Sequence, residues 1–458
     1  MKKILILFIL SISLFSCKKE FEDQNKISEN VAFNTPKAYQ GIVLGMTHEF
    51  VTNSLYRIIH SAGFTAREFG NMSTYETESQ LIDGGPELTG VNSSLSSIWR
   101  NLHRNRGIAE KIIQNIDNLE FASTAEETNF EKERIAYKAY AKLMQAITTG
   151  YMAQYWEKVT IQNDPEGNAQ FVDRNDALQF SIQKLDEAIT LINSSTDAEN
   201  HINSLISNEF SIKNVLYAFK ARYEIELSNY QNAYNAADAV NLTERSVWSY
   251  DGGSISNPIY NYTIRPGATK RFRPLDSLGL MIGNIYLLPE TNDGRIPFYL
   301  TYTSENDNSC TFPVDDPKGF WDADNAPIPV YLPDEMKLIK AEAKARLGGT
   351  TNLVEAVTLI NEVRTGMDVF GVDANLGNWT GNGNDQQEVL KEIYKNYAIE
   401  LFMQGQRFPI HRRFFPNYLD GIDWNTVNRC SLERLNNFYP YPDQERSNNP
   451  NCPNDPDY

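Results

Sequence analysis

Apolar residues recur at three- and four-residue intervals over most of this chain. That period predicts helices over 36–60, 95–118, 127–156, 175–193, 211–241, 334–347, 353–364 and 386–404. Thr35-Pro36 marks the first start, a capping residue and then a proline where a missing N–H costs nothing. The pattern fails over 61–94, 242–333 and 365–385, which carry Pro, Gly, Asn, Asp and aromatics without helical period. Loops of that length in a folded body are functional or have structure of their own. At the N-terminus, Lys2-Lys3 precede an apolar run from Ile4 to Phe15, shorter than the roughly 20 residues a helix needs to cross a bilayer. A basic start, a short apolar stretch and small residues before Cys17 describe a secretory signal over 1–16. Residues 17–34 are charged and aperiodic, as suits a tether, which leaves 35–458 as one body bearing the three insertions.

Small residues stand where paired helices must touch. Ala218, Ala221, Ile225, Ala233, Ala236, Ala237 and Val240 form such a stripe. Leu227-Ser228-Asn229-Tyr230 with Ala233 resembles the turn of a tetratricopeptide-type helix pair, 338–349 followed by 352–364 repeats the pattern, and 178–193 looks like a further such helix. The copies are unevenly spaced, so no regular array is expected. The fold class is mostly α: a tetratricopeptide-like helix-pair scaffold with large irregular insertions.

Charge narrows the partners. The chain carries 59 acidic and 42 basic residues; removing 1–16 takes Lys2 and Lys3 and leaves 40 − 59 = −19. Such a surface, with no basic stripe, is repelled by phosphate backbones and by anionic lipid heads, which excludes nucleic acid as a partner. Besides Cys17 there are Cys310, Cys430 and Cys452, an odd number too sparse for a disulfide framework. A Cys430–Cys452 bond would pin the tail and contribute about 3 kcal/mol, but unpaired thiols are the expectation.

Catalytic constellations are missing. Histidines 48, 60, 103, 201 and 411 are scattered, and Gly381-Asn382-Gly383 lacks the context of a phosphate loop. Asn306-Asp307-Asn308 and Asp322-Ala323-Asp324-Asn325 lack the Gly and terminal Glu of a calcium loop and read as solvated turns. With 59 acidic residues, close carboxylates arise by chance and name no glycosidase pair. The expectation is a protein that is not an enzyme, with no catalytic residue, metal or cofactor.

Aromatics are the constructive signal: 24 Tyr, 23 Phe and 6 Trp, many of them in the insertions. A ring platform stacks on the apolar face of a sugar while nearby Asn, Asp, Arg or Glu bond its hydroxyls. Binding residues gather on loops held by a rigid body. The candidates are therefore Arg67, Glu68 and Tyr75 in the first insertion, with Trp248, Tyr250, Tyr262 and Trp321 in the second. The competing role for each ring is to pack its own loop onto the helices.

Two stretches resemble known signatures. Leu14-Phe15-Ser16-Cys17 resembles a bacterial lipobox, which implies lipid on Cys17; Glu20, Glu22 and Asp23 resemble a surface-export signal. Residues 386–413 and 435–450 closely resemble the SusD/RagB family of nutrient-binding outer-membrane lipoproteins. The matching residues are Glu400-Leu401, Gly405-Gln406-Arg407, Arg412-Arg413, Pro440-Tyr441-Pro442, Glu445 and Asn449-Pro450. Gln404 and Ile410 stand where the family usually has Glu and Asp. Trp99-Arg100 before 106–116, and Asp293-Gly294-Arg295 before an aromatic strand, agree with the resemblance. It implies four tetratricopeptide-like pairs on one side, an irregular ligand-binding side, and a TonB-dependent outer-membrane barrel (SusC-like) as partner. The expected function is a lipid-anchored protein of the cell outer membrane, facing the exterior, that binds extracellular glycan and delivers it to that barrel. A peptide-binding relative, a surface glycosidase and a helical scaffold without small ligand are the alternatives.

Overall fold

The computed structural model describes residues 29–285 and 287–457; Cys17 and residues 17–28 of the tether lie outside them. Helices α1 (Tyr39–Glu49) and α2 (Leu55–Thr65) are joined by a π-helical segment, Phe50–Ser54. Strand β1 (Phe69–Asn71) and helix α3 (Glu76–Asp83) follow, then the long pair α4 (Ser93–Asn115) and α5 (Thr124–Tyr155). After a small hairpin, β2 (Lys158–Thr160) and β3 (Phe171–Asp173), come α6 (Arg174–Asn193), α7 (Thr196–Ile206), α8 (Ile212–Glu226) and α9 (Tyr230–Asp238). The second insertion holds β4 (Val247–Trp248), α10 (Pro258–Thr263), β5 (Phe272–Pro274), β6 (Leu300–Asn306), β7 (Pro313–Pro317) and β8 (Ile328–Pro329). Helices α11 (Pro333–Leu347), α12 (Thr350–Thr365), α13 (Gln386–Glu400) and α14 (Arg407–Phe414) follow, with a last short helix at Asp443–Asn448.

The helices stack in the order α4, α5, α6, α8, α9, α11, α12, with α13 against both α11 and α12. Small residues make this stacking close: Ala218, Ala221, Ala233, Ala236, Ala237, Ala341, Ala343 and Ala345 are all buried. The turn between α8 and α9 is carried by Ser228 at φ 61°. Ion pairs set in the stack fix its register. Arg222 grips Glu335 with two bonds of 2.7 Å, and Arg413 holds Glu342 at 2.9 and 3.0 Å. Two-pronged guanidinium–carboxylate bonds impose orientation as well as attraction.

The insertions are ordered by short antiparallel pairings. β4 pairs with β8 (Trp248↔Ile328) and closes the second insertion at its base. β1 pairs with β5 (Gly70↔Arg273), joining the first insertion to the second, and β6 with β7 forms a bulged hairpin. The first insertion is smaller than its boundaries at 61 and 94 suggest: α2 runs to Thr65, and α3 adds a further helix. The cysteines also require correction. Cys310, at the β6–β7 turn, is bonded to Cys430 with Cα atoms 5.7 Å apart, and Cys452 is the free thiol. Cys430 and Cys452 are near in sequence, but the fold brings the distant Cys310 to Cys430.

Candidate functional site

The second insertion builds an open cleft against the π segment and α2. One wall is the π segment and α2, contributing Asn53, Tyr56 and Arg57; the other is α10 and the turn after it, contributing Asn261, Tyr262 and Arg265. The space between is about 540 Å³. That turn has Pro266-Gly267 at its centre, Gly267 at φ 76° and Ala268 N–H bonded to Arg265 O at 3.2 Å. Proline supplies the first central dihedral and only glycine takes the second without strain. π segments recur at functional sites because the extra residue displaces side chains from the helical ladder; here it leaves Asn53 exposed beside the cleft.

Tyr262 is the ring at the mouth. It is 36% exposed and stacks on Tyr56 at 4.9 Å and 26°. Arg271 follows, its N–H bonded to Tyr262 O at 2.9 Å and its carbonyl to Met72 N at 3.0 Å, where the β1–β5 ladder begins. That tie puts its guanidinium between two rings, 5.5 Å from Tyr262 and 4.9 Å from Tyr75, which is 51% exposed. Tyr75 and Tyr262, distant in sequence, thus flank one cation.

Behind Arg271 lies buried support. Its guanidinium pairs with Glu78, and His60 Nε2 stands 3.3 Å from the same carboxylate. Burial works to raise the Glu78 carboxyl, yet its neighbours hold it below the ordinary carboxylate range. Burial drives the His60 pKa down against the pull of Glu78, so the imidazole is neutral at pH 7 and Arg271 is the countercharge. Tyr56 Oη is buried and has no hydrogen-bond partner among the described residues.

The other sequence candidates lie inside the protein and cannot present a face to ligand in this structure. Trp248 is 2% exposed, between Phe50 and Phe210; Trp321 is fully buried; and Tyr250 donates from its hydroxyl to Val51 O at 3.0 Å. Arg67 donates to Leu432 O (3.0 Å) and Arg429 O (2.6 Å), anchoring the C-terminal loop. Glu68 is buried, accepts from Met403 N at 3.1 Å and faces Arg407 at 3.8 Å; burial raises its pKa. In each case the side chain is used to fasten an insertion to the body. Sequence reasoning overlooks Arg57, Arg265 and Arg271, since a lone arginine in an aperiodic run carries no local signal. The one hint is the Pro-Gly turn beside Arg265.

The C-terminal signature residues are structural as well. Arg295 binds Asp293 through two bonds (2.9 and 2.7 Å) and reaches Asn396 (3.0 Å) and Glu400 (3.5 Å), all buried. Arg412 donates to Asn437 O and Gln154 O, each at 2.8 Å. Trp99 Nε1 donates to Glu445 at 3.0 Å, and Asn449 donates to Ala169 O at 3.0 Å, so the tail is strapped across α4.

The molecule is thus a stack of helix pairs whose second insertion carries an aromatic–cationic cleft. Residues 324–458 match the model of the SusD family. A SusD superfamily protein from Bacteroides vulgatus superposes with a TM-score of 0.67 at 15% identity, covering 92% of this chain and 98% of that one. A SusD-like carbohydrate binding protein from Bacteroides fragilis gives 0.67 at 13%, over 92% and 100%. A laminarin-binding SusD-like protein gives 0.63 at 14%, over 92% and 99%. No curated protein matches the sequence. Residues 324–458 thus carry the SusD family's C-terminal signature, and the whole body has the fold of these SusD-like structures.

Proposed function

We propose that this protein is a lipoprotein of the outer surface that binds an extracellular glycan beside Tyr262 and passes it to a TonB-dependent barrel. The observation that carries the reading is a pair of exposed rings flanking Arg271: Tyr262, which lines the cleft, and Tyr75 on the other side of the cation. Each ring offers an apolar face to a sugar, while Asn53 and Asn261 supply donors and acceptors for hydroxyls. A SusD-like carbohydrate binding protein and a laminarin-binding SusD-like protein share the fold, which supports the ligand class. The site is for binding and not hydrolysis. Glycosidases set two carboxyl groups about 5–10 Å apart, and none of the described residues lining the cleft is Asp or Glu. Cys17 carries the lipid in this reading, and the membrane is reached through that anchor.

The experiment is isothermal titration against a panel of oligosaccharides. Tyr262→Ala and Tyr75→Ala should each weaken binding roughly tenfold, as loss of an aromatic anchor does, with the melting temperature unchanged. Release of shorter sugars from the panel, or full affinity in the Tyr75/Tyr262 double variant, would refute this assignment. A mild-detergent pull-down should recover the barrel with the wild type, and Cys17→Ala should leave the membrane fraction.

A further inference from the structure

We propose that this cleft selects a negatively charged glycan, one bearing carboxylate or sulfate groups, through Arg57 and Arg265. The inference rests on the glycan reading above and narrows its ligand class. The chain has 59 acidic residues against 42 basic, and its buried arginines are each engaged, Arg222, Arg295 and Arg413 by carboxylates and Arg67 and Arg412 by backbone carbonyls. The cleft holds two arginines that are engaged by neither. Arg57 and Arg265 enter from opposite walls, and neither forms an ion pair among the described residues. Arg265 bonds only the neutral Asn261 Oδ1, at 3.1 Å, and Arg57 stands 6.0 Å over the Tyr56 ring. Arg271 is different, since its charge is already met by Glu78.

Two guanidinium groups lining one concavity place positive charge there that no carboxylate among the described residues offsets. A ligand anion would supply the missing countercharge. Guanidinium forks match the two oxygens of a carboxylate or sulfate, and low-dielectric walls strengthen the attraction. A sugar ring stacked on Tyr262 would turn its acidic substituent inward to this pair.

Matched glycans separate the charge from the sugar. Titrations would compare oligogalacturonate with its methyl ester, and sulfated carrageenan oligosaccharide with its desulfated form, alongside neutral laminarin and xylan oligosaccharides. The expected result is that a charged member binds at least roughly tenfold more tightly than its neutral partner, the size of a charge-assisted hydrogen bond. Which pair shows the difference tells carboxylate from sulfate. Arg57→Gln and Arg265→Gln should each remove most of that preference, Arg265→Lys should keep part of it, and added salt should weaken binding. Neutral glycans bound as tightly as charged ones, and lost in Tyr262→Ala but not in the arginine variants, would overturn the charge selection and leave the glycan site standing. Failure of every saccharide to bind overturns both. Binding of an acidic peptide in place of any charged glycan also overturns the proposal.

Discussion

Trp248 shows what a single ring does here. It stands 5.5 Å from Phe50 and 5.8 Å from Phe210, in a strand only two residues long that closes the second insertion onto the helices. Replacing a buried tryptophan with alanine removes its transfer free energy and leaves a cavity, a cost of about 3–5 kcal/mol. Trp248→Ala should lower the unfolding free energy by that amount, read as a lower urea midpoint. Tyr262→Ala should leave the midpoint in place and change binding. A Trp248→Ala protein of wild-type stability would mean that the ring is not holding the insertion down. Such a division of labour among aromatics is set by neighbours: Trp248 and Tyr262 lie in similar aperiodic runs, yet one is 2% and the other 36% exposed.

Among the elements, the loop after α12 has a pH dependence that follows from one carboxyl. Asp368 Oδ1 accepts from Phe370 N at 2.8 Å and Val372 N at 2.9 Å, closing a tight turn, while Oδ2 is buried without a bond. Burial, with Asp334 adding to it, raises the Asp368 pKa from 3.8 to about 6. The folded state therefore keeps a proton that the unfolded chain has lost, and stability attributable to this group falls as pH rises from about 4 to about 6, then stays level. Asp368→Asn keeps the acceptor and removes the charge. It should exceed the wild type in stability by about 1–3 kcal/mol at pH 8, with the difference fading toward pH 4. Denaturation curves at four pH values check this, and parallel profiles for the two proteins would refute it. The stretches without helical period hold only short helices, α3 and α10 among them, and only the tertiary contacts reveal that β1 and β5 fuse two of these stretches.

For the whole molecule, the Cys310–Cys430 bond spans 120 residues and ties the β6–β7 hairpin to the C-terminal loop that Arg67 also grips. Closing a long loop in the unfolded chain stabilises the native state by about 2–4 kcal/mol. Cys310→Ser with Cys430→Ser should lose that much, and hydrogen exchange should quicken around residues 417–436 before the helical stack is affected. Unchanged exchange there would show that Arg67 alone secures the loop. The helices, their paired stacking and the C-terminal signature were legible from sequence alone, because helical period and contiguous motifs are local: residues three or four apart share a face whatever lies elsewhere. The outward rings, the partner of Cys430 and the gathering of Arg57, Arg265 and Arg271 around Tyr262 were decided only by tertiary structure. In an aperiodic segment no face is specified locally, so burial and charge pairing depend on which distant segment arrives opposite.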